Sequence, residues 1–360
     1  MIPHCTPGEL GRRLGGLPVE VTAIEVRIGA VALPDYPGGP RPTSVVRVSG
    51  QGQHGLGENV AFTAEEHHAF ASRCRGLSAI IDVKRRRPPA TVQETMREAL
   101  AAWAATGEPV PQGEVRAVER PSARALLHER AALEAAVIDL ALRQAGSSLA
   151  LLTGVAEVPL RSVISFAACA DPVAVIRLHR AAGYQGEFKI DVDPSWDQAT
   201  REALARQGGV AILDFKQRGT SADAAALSGL FAATIFEDPP PGTVHERVSR
   251  DIPLGNAGAV ATAVAAGEAV NLKAPRMGGP LELLRGLDVA VSARAAAYFG
   301  GMFEVNVGRA QARQLAALFC GDAPNDLALN LAHSTDQGLP AGSSPVMVRL
   351  DNPGFGTQRE

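Results

Sequence analysis

From about residue 160 to residue 331 the sequence alternates short apolar runs with stretches of helical spacing, and that alternation constrains the fold more than any other feature. The runs read RSVISFA, EFKIDV, GVAILDF, AATIFED, DIPLGN, AVNLKAP, a weaker AAAYFGG, and NDLALNL. Between them, segments such as 196–207, 220–230 and 279–294 carry apolar residues at helix period. A short apolar strand followed by an amphipathic helix, repeated seven or eight times, predicts an α/β protein whose parallel strands close into a barrel rather than an open sheet.

The first part of the chain reads differently. Residues 18–30 and 43–50 show the period-two, β-branched pattern of half-buried strands, and the Pro/Gly-rich LPDYPGGPRP between them reads as a mobile loop. Helical patterns follow at about 63–75 and 91–106, so residues 1–121 are expected to form an α+β capping domain. Near 122 the composition shifts to an Ala/Leu-rich helix, ARALLHERAALEAAVIDLALRQAG, which ends at glycine as helices commonly do. Residues 122–340 are then the barrel domain, and the Gly-, Pro- and Ser-rich 341–360 is expected to pack back on the cap. A chain of 360 residues accommodates a barrel of ~250 residues and a smaller partner.

Composition excludes several classes. With 46% hydrophobic and 20% charged residues the chain can bury a core without disulfide or metal staples. Net charge is −3, and the basic run Lys84, Arg85, Arg86, Arg87 meets Pro88 and Pro89 at once, which reads as a solvated turn and not as a nucleic-acid surface. Cys5, Cys74, Cys169 and Cys320 are far apart, so free thiols in a cytoplasmic protein are expected. No run reaches ~18 apolar residues, which argues against a membrane role. The histidines, including His54, His67, His68, His128, His245 and His333, lack the spacing of a metal site and read as ordinary polar residues. Gly278-Gly279 reads as a tight turn before a helix, with a phosphate-binding helix start as the alternative.

In a barrel, chemistry sits where strands end, because strand termini and loops converge on one cavity there. Alternation along EFKIDVD puts Lys189, Asp191 and Asp193 on one face, and along LDFKQ it pairs Asp214 with Lys216. The fourth run ends at Glu237-Asp238 and the sixth at Lys273. Inward charges must pair, bind a cation or shift their pKa, so a salt-bridged barrel mouth is the plain alternative to a catalytic one.

Taken together and in this order, these strand ends resemble the mandelate racemase and muconate lactonizing branch of the enolase superfamily. Gly52-Gln53-His54-Gly55-Leu56-Gly57-Glu58 resembles the family's cap-domain turn, and AALEAAVIDLALRQAGSSLALLTG, with Asp139, is similar to its linker helix. GYQGEFKIDV, ILDFKQRG, IFEDPPP, VNLKAPRMGG and FGGMFEVNVGRAQARQLAAL resemble barrel strands two, three, four, six and seven, and Asn352-Pro353-Gly354-Phe355-Gly356 resembles the family's terminal motif. The likeness implies a TIM-like (β/α)7β barrel with an N-terminal α+β capping domain, the 30–42 loop closing over a small carboxylate substrate. It also implies a homo-oligomer and removal of a proton α to a carboxylate, with Mg²⁺ holding the enediolate. By position the resemblance makes Asp214 and Glu237 metal ligands, Lys273 the base on strand six, and Lys189 the first lysine of the family's K-x-K.

Three departures change that expectation. The second lysine of K-x-K is Asp191, leaving Asp191 or Lys189 as second acid/base or charge partner. Where the family's fifth strand carries its third ligand, this chain reads Ile252-Pro253-Leu254-Gly255-Asn256-Ala257-Gly258, which leaves only the Asn256 carbonyl oxygen, a weaker ligand for Mg²⁺ than a carboxylate. Lys216 replaces a common asparagine, and its ammonium is expected to pair with Asp214 and Glu237 in place of the metal. Three readings follow: a racemase, cycloisomerase or syn-dehydratase resembling o-succinylbenzoate synthases; a metal-free enzyme whose substrate has a more acidic proton; and a non-catalytic barrel that binds a small acid.

Overall fold

A computed structural model describes residues 5–31, 40–84, 89–105, 121–305, 307–327 and 344–356, with side chains 78–84, 105, 121 and 122 left aside. The centre of the predicted 30–42 loop, the basic residues Arg85 to Arg87, His333 and the last residues of the NDLALNL run lie outside the described residues.

The N-terminal part opens with a helix, Pro7–Gly15, which the sequence reading did not include; Thr6 caps it by accepting from the Glu9 backbone N–H. An antiparallel sheet follows, Ala23–Val31 with Arg41–Gly50 and Arg41–Gly50 with Gln53–Asn59. Gln51 and Gly52, with φ of 50° and 72°, make the two-residue reversal between the last two strands. Such a turn matches the twist of the strands it joins. The stretch from Gly52 to Glu58, likened to a turn, is therefore strand from Gln53 onward. Helices Ala64–Lys84 and Val92–Ala105 complete this part.

Glycines explain how the linker helix, Pro121–Gln144, reaches the sheet. A Cβ on Gly55 would stand 2.2 Å from the Ala136 carbonyl oxygen, and one on Gly57 would stand 1.9 Å from that of Ala132. Backbone meets backbone there, and no side chain fits between. Gly57→Ala is expected to destabilise the protein by about 1–3 kcal/mol, as overpacking of a close contact does, and urea unfolding measures it.

The second part is a curled seven-stranded parallel sheet whose strands follow chain order: Val163–Phe166, Glu187–Asp191, Val210–Asp214, Ile235–Glu237, Val248–Arg250, Ala269–Leu272 and Ala297–Phe299. Helices Gln198–Gln207, Ser221–Ser228 and Pro280–Ser292 fall where helical spacing predicts them. The fifth strand does not: it is Val248–Arg250 and not the DIPLGN run. Past Arg250 the chain turns, with the Leu254 N–H donating to the Asp251 carbonyl and the Gly255 N–H to that of Pro253. Beyond the seventh strand, isolated parallel bridges join Ser162 to Asn325 and Gly300 to Asp326.

One core cluster runs from the N-terminal strands through the linker helix to the helices after strands five and six. A second, aromatic cluster with Phe188, Trp196, Phe215 and Phe236 supports strands two to four. The C-terminal Val346–Arg349 pairs antiparallel with Glu157–Leu160, and the Phe355 N–H donates to Asp139 of the linker helix at 2.8 Å. Its described contacts run to the linker helix, to the lead-in to the sheet and to the helix Val307–Cys320, whose Gln311 and Gln314 donate to the Phe355 and Arg349 carbonyls.

Candidate active site at the strand ends

Lys189, on the second strand, is 2% exposed, and its Nζ lies 2.6 Å from Glu237, 3.2 Å from Asp214 and 3.4 Å from Asp326. These carboxylates come from the ends of strands three and four and from the bridge beyond strand seven. Burial alone would favour the neutral amine, but the carboxylates of Glu237, Asp214 and Asp326 outweigh it and hold the Lys189 pKa well above the lysine range.

Glu237 is the hub and is fully buried. Besides Lys189 it accepts from Asn271 Nδ2 at 3.1 Å on both oxygens and from the Tyr298 hydroxyl at 2.5 Å. Tyr298 in turn shares a hydrogen bond with Ser249 at 2.8 Å. Burial pushes the Glu237 carboxyl up to about 7 against the opposing pull of Lys189, with Asp214 and Asp251 adding to the rise. Asp214 goes the other way: burial opposes it, but Lys189 and Lys216 hold it below the usual range.

Lys216 stands elsewhere than the sequence led us to expect. Strand three ends at Asp214, and the backbone turns through positive φ at Lys216 (49°) and Gln217 (60°). The Lys216 backbone N–H then donates to Asp214 Oδ1 at 3.0 Å, while its Nζ lies 2.7 Å from Asp214 and 3.1 Å from Asp191. The cation bridging Asp214 and Glu237 is therefore Lys189; Lys216 bridges Asp214 and Asp191 and corrects the expected Lys216–Glu237 pair. Burial raises the Asp191 carboxyl above the usual aspartate value, Lys216 opposing it. Asp193 lies outside this cluster, its Oδ1 accepting from the Ser195 backbone and hydroxyl.

Strand five brings in an acid that the sequence reading missed. Asp251 follows the strand directly, is buried, and accepts from Lys273 Nζ at 2.8 Å, with Arg276 Nη1 at 3.1 Å from its other oxygen. Burial works against its charge, yet Arg276 and Lys273 hold its pKa below the usual value. Asn256, the expected donor here, caps the helix Ala257–Ala265 by accepting from the Ala259 N–H at 2.9 Å, so its oxygen is engaged locally. Placing the strand at VSR instead of DIPLGN is the signal that would have found Asp251. Glu304, in the FGGMFEVNVGRA segment, accepts from the Met302 N–H.

Lys189, Lys216, Asp191, Asp214, Glu237 and Lys273 thus lie together at the C-terminal ends of the strands, with Asp251 and Asp326 added. Among the described residues, no group of three or more His, Cys, Asp and Glu side chains is arranged to hold a metal ion. None of the described helices is long and apolar enough to cross a membrane.

Two family models match the chain, both described as a domain of unknown function (DUF8230): the N-terminal domain over residues 12–152 and the C-terminal domain over 156–333. An N-succinylamino acid racemase from Amycolatopsis sp is 30% identical over 224 residues, covering 55% of this chain and 59% of the racemase, so the chain spans about six-tenths of that relative's length. A mandelate racemase/muconate lactonizing protein from Herpetosiphon aurantiacus superposes with a TM-score of 0.70 at 19% identity, over 96% of this chain and 100% of that one. A dipeptide epimerase from Enterococcus faecalis V583 gives 0.69 at 17% identity, over 94% and 100%. The chain belongs to the DUF8230 family and has the fold of the mandelate racemase and muconate lactonizing members of the enolase superfamily.

Proposed function

We propose that this protein is an enzyme that exchanges the proton α to a carboxylate, and that the Lys189 ammonium takes the place of the superfamily's metal. The observation that carries the reading is Lys189 Nζ within 3.2 Å of both Asp214 and Glu237. The residues do not fit a Mg²⁺ ion. Mg²⁺ needs bare oxygen ligands in near-octahedral array, whereas Glu237 already accepts from three side chains, Asp214 from two lysines and Asp251 from Lys273.

Removal of an α-proton puts a second negative charge on the substrate, and the ammonium groups of Lys189 and Lys216 supply a fixed positive field for it. One ammonium supplies less field than Mg²⁺, so a substrate with a more acidic α-proton suits the site. Lys273 at strand six is the base, and it must release Asp251 to act. Asp191 stands at strand two, with three strands between it and strand six in the sheet order, which sets a proton-transfer group on each side of the mouth. A carboxyl raised by burial suits that role, and two facing groups suit racemisation or epimerisation. The bridges at Asn325 and Asp326 support a closed (β/α)7β barrel beneath this site, with residues 1–121 as its cap. A homo-oligomer in the cytoplasm remains part of the proposal, on the resemblance alone.

Proton NMR in D₂O with mandelate, dipeptides and N-succinylamino acids tests the reading. Exchange of an α-proton is expected in the presence of a chelator, with loss of at least ~10²-fold in Lys273→Ala, the scale of a general base. The rival reading, a barrel that binds a small acid without turnover, is favoured by the pairing of Asp191, Asp214, Glu237, Asp251 and Asp326 with lysines. Absence of exchange across the panel would select it.

A further inference from the structure

Asn271 and Lys273 stand two residues apart at the end of strand six, where the extended backbone continues through Lys273, so alternation puts both side chains on one face. Asn271 is 1% exposed, and its Nδ2 donates to both oxygens of Glu237 at 3.1 Å. Those contacts fix which way round the amide lies, because turning it over would set its oxygen against a carboxylate. The other end of the amide, Oδ1, has no hydrogen-bond partner among the described residues. Buried polar atoms are almost always satisfied, so an orphaned acceptor here needs a physical reason.

Gly300, directly after strand seven, shows what lies beside that oxygen. A Cβ on Gly300 would collide with Lys273 Cε and would stand 2.5 Å from Asn271 Oδ1. The end of the lysine stem and the unpartnered oxygen therefore meet over the same bare α-carbon. The Gly300 backbone does not take the positive φ that favours glycine, so the position uses the missing side chain and not the backbone freedom. Lys273 Nζ, one bond beyond Cε, is turned from this place to Asp251 Oδ2 at 2.8 Å. Rotation about the last side-chain bonds carries Nζ from one acceptor towards the other with the backbone unmoved.

We propose that Asn271 Oδ1 is a second station for the Lys273 side chain, which receives Nζ when it leaves Asp251, and that Gly300 keeps the path between the two open. The proposal rests on the reading of Lys273 as the base, which has to leave Asp251 to act. Asn271 and Gly300 are positioning residues, each acting through Lys273. An amide oxygen accepts from an amine and from an ammonium alike, so the station holds the lysine in both protonation states. It also favours the ammonium less than a carboxylate does, which suits a group that must shed its own proton before it takes one from a substrate. Asp251 is then the resting partner and Asn271 the working one.

The crystal structure of Asp251→Ala, without any substrate, tests this. With its first acceptor gone, Lys273 Nζ is expected at about 2.7–3.2 Å from Asn271 Oδ1. Density that places Nζ elsewhere, or a side chain with no defined position, would overturn the proposal. Asp251→Leu, which keeps the volume, takes its place if the alanine variant does not fold. Gly300→Ala supplies a second measurement, on the substrate that the D₂O panel identifies and with thermal melts to establish the fold. Its methyl group occupies the path, so kcat for α-proton exchange is expected to fall about tenfold or more with KM nearly unchanged. Added to Lys273→Ala, the same substitution should lower the residual exchange no further. A folded Gly300→Ala with full kcat, or an equal loss in both backgrounds, would also refute it. A wild-type protein without any exchange would instead defeat the reading of Lys273 as base, and the position of the lysine in Asp251→Ala would still decide the second station.

Discussion

Lys189→Met is expected to destabilise the protein by about 3–5 kcal/mol at neutral pH, the cost of removing one partner from a buried ion cluster. Methionine fills much the same volume, so the loss is mainly electrostatic: Asp214, Glu237 and Asp326 would be left at the mouth without the ammonium that joins them. The deficit should depend on pH in a defined sense. Burial raises the Glu237 carboxyl from its usual 4.5 to about 7, so in that window the folded state holds a proton that the unfolded chain has released. Its stabilising contribution is complete below about 4.5 and is lost as pH rises through 7. Without Lys189 the carboxyl rises further, so the variant should recover towards pH 5 and be weakest above pH 7. Urea unfolding of both proteins at pH 5 and pH 8 reads this directly. An equal loss at the two values would mean that the lysine contributes packing alone.

Asp139→Ala should cost about as much for a different reason. Asp139 is fully buried in the linker helix and accepts from the Leu56 N–H at 2.9 Å, the Phe355 N–H at 2.8 Å and Arg143 Nε at 2.9 Å. One carboxylate therefore ties a cap strand, the linker helix and the C-terminal segment together. Alanine leaves those donors without it, at about 1–3 kcal/mol for each donor left buried and unsatisfied, for a total of about 3–5 kcal/mol. Asp139→Asn keeps an acceptor oxygen and should lose about half as much. Hydrogen exchange at Leu56 and Phe355 is the local check: both amides should exchange faster in the alanine variant, together with the surrounding backbone.

Much of this architecture is legible in the sequence because strand and helix periods differ and the polar residues fall at strand ends. EFKID and VAILD end where their apolar runs predict, which puts Lys189 and Asp214 at the mouth. The fifth strand was missed for a physical reason. Its ladder lies in VSR, a three-residue segment with polar neighbours, whereas DIPLGN looks more apolar but contains a proline, which has no N–H to give a ladder. That shift of a few residues hid Asp251 and offered Asn256 in its place. The choice between Lys189 and Lys216 was equally beyond sequence pattern, since alternation puts both near Asp214. The positive φ at Lys216 turns its side chain to Asp191 and leaves the position between Asp214 and Glu237 to Lys189.

Crystals grown at neutral pH and soaked in Mg²⁺ test most directly whether an internal ammonium stands where the superfamily holds a metal. The account predicts continuous density for the Lys189 side chain between Asp214 and Glu237, and no ion between these carboxylates. An ion coordinated by Asp214 and Glu237, with Lys189 displaced, would contradict it.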